Sequence, residues 1–240
     1  MVNRLSVLGV CLMLVLPAGA DIDHGLLSRA LARHVSGGQV DYPAFQTDAD
    51  FTAYLALLPA VQAADLATDV QRKAFYLNAY NACVIKGVVD HWPVTQVVKV
   101  PGFLDRLKYK LAGRELTLDQ VENDILRPMG DPRIHAALVN GARSAPQLRA
   151  EAYLPAKLDE QLDDQARRWV NDTSRNRVER AAGKLVLSKI FDWYRPDFES
   201  VGGAAGFMKQ YIANPDLRAW LGGGDYQIEY MRFDWGLNSK

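Results

Sequence analysis

Asp131-Pro-Arg-Ile-His-Ala-Ala-Leu-Val-Asn-Gly-Ala-Arg-Ser-Ala-Pro-Gln-Leu148 reads as a buried strand with one histidine, a glycine turn and a serine-capped helix start. A strand that runs into a helix N-terminus leaves free backbone N–H groups pointing outward, and such groups suit a binding site. His135 has no cysteine, metal cluster or acidic pair beside it in the sequence. The stretch therefore offers the frame of a site without an evident reagent.

Outward from this stretch, helical and extended patterns are interspersed. Leu26, Leu27, Ala30, Leu31, His34 and Val35 recur at helical spacing up to Ser36-Gly-Gly38. Gln39–Tyr42 reads as a short extended piece, and Phe51, Tyr54, Leu55, Leu57 and Leu58 as one face of a second helix. The third helix, about Asp69 to Trp92, is the most apolar and is stopped by Pro93. Val94 to Val100 is β-branched and strand-like, and Lys108–Leu111 with Glu115–Thr117 predicts a hairpin. Thr117-Leu-Asp-Gln120 matches a capping box opening a helix to Arg127. Leu158, Leu162, Ala166 and Trp169 mark a long helix, Lys184–Ser188 a strand, Gly206–Ala213 a helix and Tyr226–Met231 a last strand. No regular alternation of strand and crossover helix appears. The pattern predicts an α+β fold, one domain over 21–240 with helices packed around a small, mainly antiparallel sheet.

Residues 1–20 read as a signal peptide: Arg4 at the positive end, an apolar run from Leu5 to Leu16, and small residues at Pro17–Ala20. The apolar run is too short for a comfortable bilayer span, so the expectation is an exported protein, periplasmic or secreted, with no integral span after cleavage. The chain has 28 basic and 28 acidic side chains, a balance that leaves no footprint for nucleic acid. Of the two cysteines, Cys11 lies in the leader and only Cys83 follows it, so no internal disulfide is available to the exported chain.

On the third helix, Asn78 and Asn81 share a mainly apolar face with Phe75, Ala82, Ile85 and Val89. Buried amides must be hydrogen-bonded, and these can hold either a neighbouring loop or a ligand. Cys83 sits mid-helix among alanines and aromatics, where a small buried hydrophobe is the simpler reading than a nucleophile. His24, His34 and His91 lack metal-ligand spacing, and no metal or other cofactor is expected.

The stretch His135-Ala-Ala-Leu-Val-Asn-Gly-Ala-Arg-Ser-Ala-Pro146 resembles the signature of the domain-of-unknown-function family 547. Gly38–Tyr42, Phe75–Asn81, Leu116–Glu122, Ile125–Arg127, Leu187–Tyr194 and Phe233–Asn238 resemble further pieces of the same family in the same order. The resemblance implies no settled general activity. Family members often carry cysteines where this chain has Asn140 and Ala145, and Glu-His where it has Glu122-Asn123. Thiol chemistry at this place is thereby removed, because neither asparagine nor alanine supplies a base or a nucleophile.

Two readings of the region stay open. In the first, the pocket around His135, Asn140, Arg143, Asn78, Asn81 and Glu122 binds a small anionic or peptide-like ligand. In the second, a hydrolase or acyl transferase uses His135 as base, Glu122 to orient it, and Ser144 or an activated water as nucleophile. Ser144 also fits a plain N-cap, and Arg143 a solvated turn charge. In a regular strand His135 and Asn140, five apart, point to opposite faces, so they share a pocket only if the chain bulges before Gly141.

Overall fold

The computed structural model describes residues 22–240, so the leader expected at 1–20 lies outside the described residues. The chain begins with α1 (Gly25–His34), which buries Leu27, Ala30 and Leu31. A two-residue pair follows, β1 (Val35–Ser36) against β2 (Gln39–Val40), antiparallel with Val35 opposite Val40. Tyr42 is not extended, as expected from the sequence, but opens a short helix α2 (Tyr42–Phe45). Asp41 caps it by accepting the Ala44 N–H, and Pro43 sits in the first turn, where its missing N–H costs little. α3 (Ala49–Leu57) is capped by Asp48, which also takes Arg33 and His34 from α1.

The central element is α4 (Asp69–Asp90). Thr68 and Gln71 form a reciprocal capping box at its start, and the run from Ala74 to Ile85 is buried on every side. A helix apolar all round must sit inside the fold rather than on it, and α4 is the axis of the main core. After it, Val94–Val100 does not form the expected strand. Gln96 makes an isolated bridge with Gly236, and Val97–Lys99 closes into a 3₁₀ turn. The predicted hairpin is present as β3 (Tyr109–Leu111) and β4 (Arg114–Leu116), with Tyr109 opposite Leu116.

The capping box at Thr117 and Gln120 also forms, but the helix it opens changes character. One α-turn, α5 (Leu118–Gln120), widens into a π-turn at Val121–Leu126 and tightens into 3₁₀ at Arg127–Met129. Single π-turns inside helices reposition one side chain, and this one carries Glu122. His135 lies not on a strand but on a short helix, α6 (Ile134–Ala137). A four-residue apolar run cannot be assigned to strand or helix by periodicity alone, and here local i→i+4 bonding decides it.

No helix follows Ser144, contrary to the sequence reading. Residues 141–144 pair instead with the C-terminal segment. Arg143 N–H donates to Gly236 O at 2.7 Å, Ser144 N–H to Asp234 O at 3.2 Å, and Asn238 N–H to Gly141 O at 2.9 Å. The same segment reaches β2 through Asn238 O, which accepts the Val40 N–H at 3.0 Å.

The second half adds α7 (Leu158–Asn171), β5 (Arg177–Glu179), β6 (Lys184–Leu187), α8 (Ile190–Trp193), α9 (Gly203–Tyr211), α10 (Pro215–Gly223) and β7 (Gln227–Tyr230). β5–β6 is antiparallel and β6–β7 parallel. The fold is α+β, and among the described residues the strands are divided among three small sheets rather than gathered into one. A second core, built on Trp169, Phe191, Phe198 and Phe207, packs α7, α8 and α9 together. The candidate site lies where α6 meets α8.

Candidate functional site

Glu122, His135 and Asn140 come together at one narrow cleft. The π-turn aims Glu122 at it, α6 supplies His135, and Asn140 enters from the turn before Gly141, whose φ of +84° suits a residue without a Cβ. Because His135 is helical, its five-residue spacing from Asn140 no longer forces opposite faces. Tyr80 from α4 and Trp193 and Tyr194 from the end of α8 complete the polar and aromatic lining, with Leu138 and Ile190 as apolar walls. The cleft volume is about 30 Å³, room for a water or one small polar group.

His135 is held on three sides. Its Nε2 lies 2.7 Å from Asp197 Oδ2, its Nδ1 3.9 Å from Glu122 Oε1, and its ring stacks on Tyr194 with centroids 4.1 Å apart. Arg127 grips Asp197 through Nε at 2.6 Å and Nη2 at 2.8 Å, a two-point pairing that fixes the carboxylate plane. The same guanidinium donates to Asn123 Oδ1 at 2.8 Å and stands 5.1 Å from the centre of the Tyr194 ring. Arg127, with His135 helping, holds the Asp197 carboxyl well below the usual carboxylate range, despite partial burial. An ionised carboxylate only accepts, so the Nε2 of His135 carries a proton.

Glu122 behaves in the opposite way. Burial pushes its carboxyl up, while the Tyr194 hydroxyl, which donates to it, and the neighbouring His135 pull it down. The Tyr194 hydroxyl is raised by its burial and by Glu122 beside it, so it stays protonated and remains a donor. Two carboxyl groups on either side of one imidazole are thus driven apart, one firmly ionised and one ready to take a proton. Asn140 spends its Oδ1 on the Ala142 N–H at 3.1 Å, and its NH₂ makes no hydrogen bond to the described residues.

The other residues singled out from the sequence stand elsewhere. Asn78 pairs with the backbone of Tyr153, donating to its O at 2.7 Å and accepting from its N at 2.8 Å. Asn81 does the same for the stretch between His135 and Asn140, donating to Ala137 O and accepting from Val139 N, each at 3.0 Å. Both amides are buried and hold loops, and Asn81 supports the site from behind. Arg143 is exposed, with Asp234 at 3.8 Å. Ser144 Oγ accepts the Asp234 N–H at 2.8 Å and lines a different cleft from His135. Cys83 is buried, and burial pushes its thiol up, away from nucleophilic character. Among the described residues no group of three metal-ligating side chains is placed to hold an ion.

Sequence reasoning missed Arg127, Asp197, Tyr80, Trp193 and Tyr194 as parts of this site. Tyr80, Arg127, Trp193 and Tyr194 all fall inside the pieces that carry the family resemblance, a signal of position without role. Asp197 has no local signal, since its partners are 62 and 70 residues away.

The family model described as "Protein of unknown function, DUF547" matches residues 64–170. The chain carries a DUF547 domain. No curated protein matches it, and no solved structure does. The match takes in Tyr80, Glu122, Arg127, His135 and Asn140, but stops before Trp193, Tyr194 and Asp197. The cleft is therefore closed, and His135 anchored, by residues beyond the matched stretch. No described helix is long and apolar enough to cross a membrane.

Proposed function

We propose that this DUF547 protein is a binding protein that takes a single amide group of a peptide-like ligand into the cleft between Glu122 and Asn140. One observation carries the reading: Asn140, whose N–H donors are unspent among the described residues, and Glu122 line the same cleft, and no described side chain lining it is Ser, Thr, Cys or Lys. A carboxamide or peptide bond presents a C=O for the former and an N–H for the latter, about one group in size. Trp193, 42% exposed, gives the rest of such a ligand a flat wall. A buried acceptor carboxyl disfavours an anion at this point.

The test is a thermal-shift and calorimetric screen with N-acetyl amino-acid amides and short peptides, on wild type and Asn140→Ala. Ligands that stabilise the wild type and leave the variant unmoved support the reading. Equal responses in both, or none in either, overturn it.

A second reading is favoured by the raised Glu122 carboxyl and by the room for one water: Glu122 as general base for hydrolysis of that amide, with His135 beside it. Glu122→Gln separates the two. Retained binding with loss of turnover supports hydrolysis, and the absence of any turnover in wild type leaves binding alone.

Export goes with either reading, on the leader expected at 1–20. N-terminal sequencing of protein recovered outside the cytoplasm should begin at Asp21, and an intact Met1 would contradict it.

A further inference from the structure

Trp193, which lines the amide cleft, has its ring 4.8 Å from that of Phe233, which lines a second small cleft with different chemistry. Its polar wall is Ser144, Ser174, Ser188, Arg175, Lys189 and Arg232, three hydroxyls and three cations, and no carboxylate among the described residues lines it. Met231 and Phe233 supply the remaining surface. Its volume, about 40 Å³, is that of a compact group rather than a whole small molecule.

The hydrogen bonds already made decide what the hydroxyls can still do. Ser144 Oγ accepts the Asp234 N–H at 2.8 Å, and Ser188 Oγ accepts the Ile190 N–H at 3.3 Å. Each oxygen faces a backbone donor, and neither O–H has an acceptor among the described residues. Ser188 is only 4% exposed, so bulk water is not freely available to it, and its proton is left for something inside the cleft. Ser174 is spent, donating to Asp172 Oδ1.

The charges point the same way. Arg175 is tied to Asp172 and to the carbonyls of Arg143 and Ala145, so it is part of the wall. Lys189 pairs with Asp192 at 2.6 Å, and Asp234 is turned to its own loop, taking the Gly236 N–H at 2.8 Å. Arg232 is exposed and has no carboxylate partner among the described residues, which leaves one positive charge unbalanced at the mouth. Two O–H donors without an acceptor among the described residues, an ammonium and an uncompensated guanidinium suit an oxyanion.

We infer that this cleft is an oxyanion site, taking a phosphate or sulfate group through the Ser144 and Ser188 hydroxyls, Lys189 and Arg232. It is independent of the amide cleft, and neither needs the other. The group can be a free ion or the end of a larger ligand.

The test is calorimetric and NMR titration of the full exported chain with inorganic phosphate, sulfate and glycerol phosphate, at constant ionic strength set with chloride. Saturable binding is expected, with shifts at the Ser144, Ser188 and Arg232 backbone amides. Arg232→Gln should weaken it about tenfold, the worth of one charge-assisted contact, without changing the melting temperature. Lys189→Gln should act similarly, and Ser188→Ala should weaken binding further while loosening the start of α8. Glycerol phosphate binding as well as the free ions assigns the site to a ligand-borne group, and binding of the free ions alone assigns it to the ions. Absence of saturable binding to any of the three, or unchanged affinity in Arg232→Gln, overturns the inference. The amide screen on Asn140→Ala is unaffected by either outcome.

Discussion

His135 Nε2 and Asp197 Oδ2 stand 2.7 Å apart although 62 residues separate them in the chain. The contact joins α6 to the 3₁₀ turn at Arg195–Val201, and Arg127 completes it from a third element. Three segments with little local structure of their own are thus clamped by one carboxylate. Asp197→Asn keeps the shape but removes the charge that both partners need, and it should cost about 2 kcal/mol in urea unfolding at neutral pH.

The same residue contributes to the acid limb of stability. The native Asp197 carboxyl lies below its unfolded range, so its contribution is present above that range and fades as pH falls through the native value. Wild type should lose stability on acidification more steeply than Asp197→Asn, read from urea midpoints across the acid range. Parallel curves would mean that Asp197 is not the group responsible.

Glu122 has the reverse sign. Its native carboxyl is raised, so the native state is favoured with the proton on and loses that advantage as pH rises through the native value. Glu122→Gln should therefore be more stable than wild type at neutral pH, the gap closing on acidification. A variant less stable than wild type at neutral pH would show that the carboxylate is held by partners stronger than Tyr194 and His135.

Asn81 is the residue whose loss should damage the fold most while touching no ligand. Asn81→Ala orphans the buried Val139 N–H and Ala137 carbonyl together, for a loss of about 3 kcal/mol. At Gly141, alanine would have to keep φ +84° with its Cβ 3.0 Å from Val97 Cγ1, costing about 1–2 kcal/mol. Chemical denaturation of the two variants measures both.

Cys83 should be silent. Its thiol is buried in α4 and its ionisation is pushed up by that burial, so a thiol reagent at mildly alkaline pH should titrate nothing until denaturant is added. Stoichiometric reaction in the native state would place an opening motion at the middle of the main core.

What could be read from the chain without its structure follows the range of the forces involved. α4, α7 and the hairpin at Tyr109–Leu116 are set by neighbours three or four residues away, or directly opposite, and those patterns are visible. The capping box at Thr117 is equally legible, whereas the π-turn after it has no signal in the local spacing. Ser144 followed by Ala145-Pro146 has the local chemistry of a helix cap. The C-terminal segment of residues 234–238 takes those backbone groups first, and nothing near Ser144 announces a partner 90 residues away. Of the candidate site, Glu122, His135 and Asn140 are legible in one motif and its neighbour, whereas Arg127 and Asp197 show only in space.

On the binding reading proposed above, the Asn140 amide meets a ligand amide in the cleft lined by Glu122. The most direct measurement is the side-chain ¹⁵N–¹H₂ signal of Asn140 during titration with N-acetyl amino-acid amides, followed together with the Trp193 indole signal. Both should move with one saturation curve, and in Asn140→Ala the Trp193 response should vanish. A Trp193 response that persists unchanged in that variant, or an Asn140 signal that stays still while peptide binds, would contradict the account.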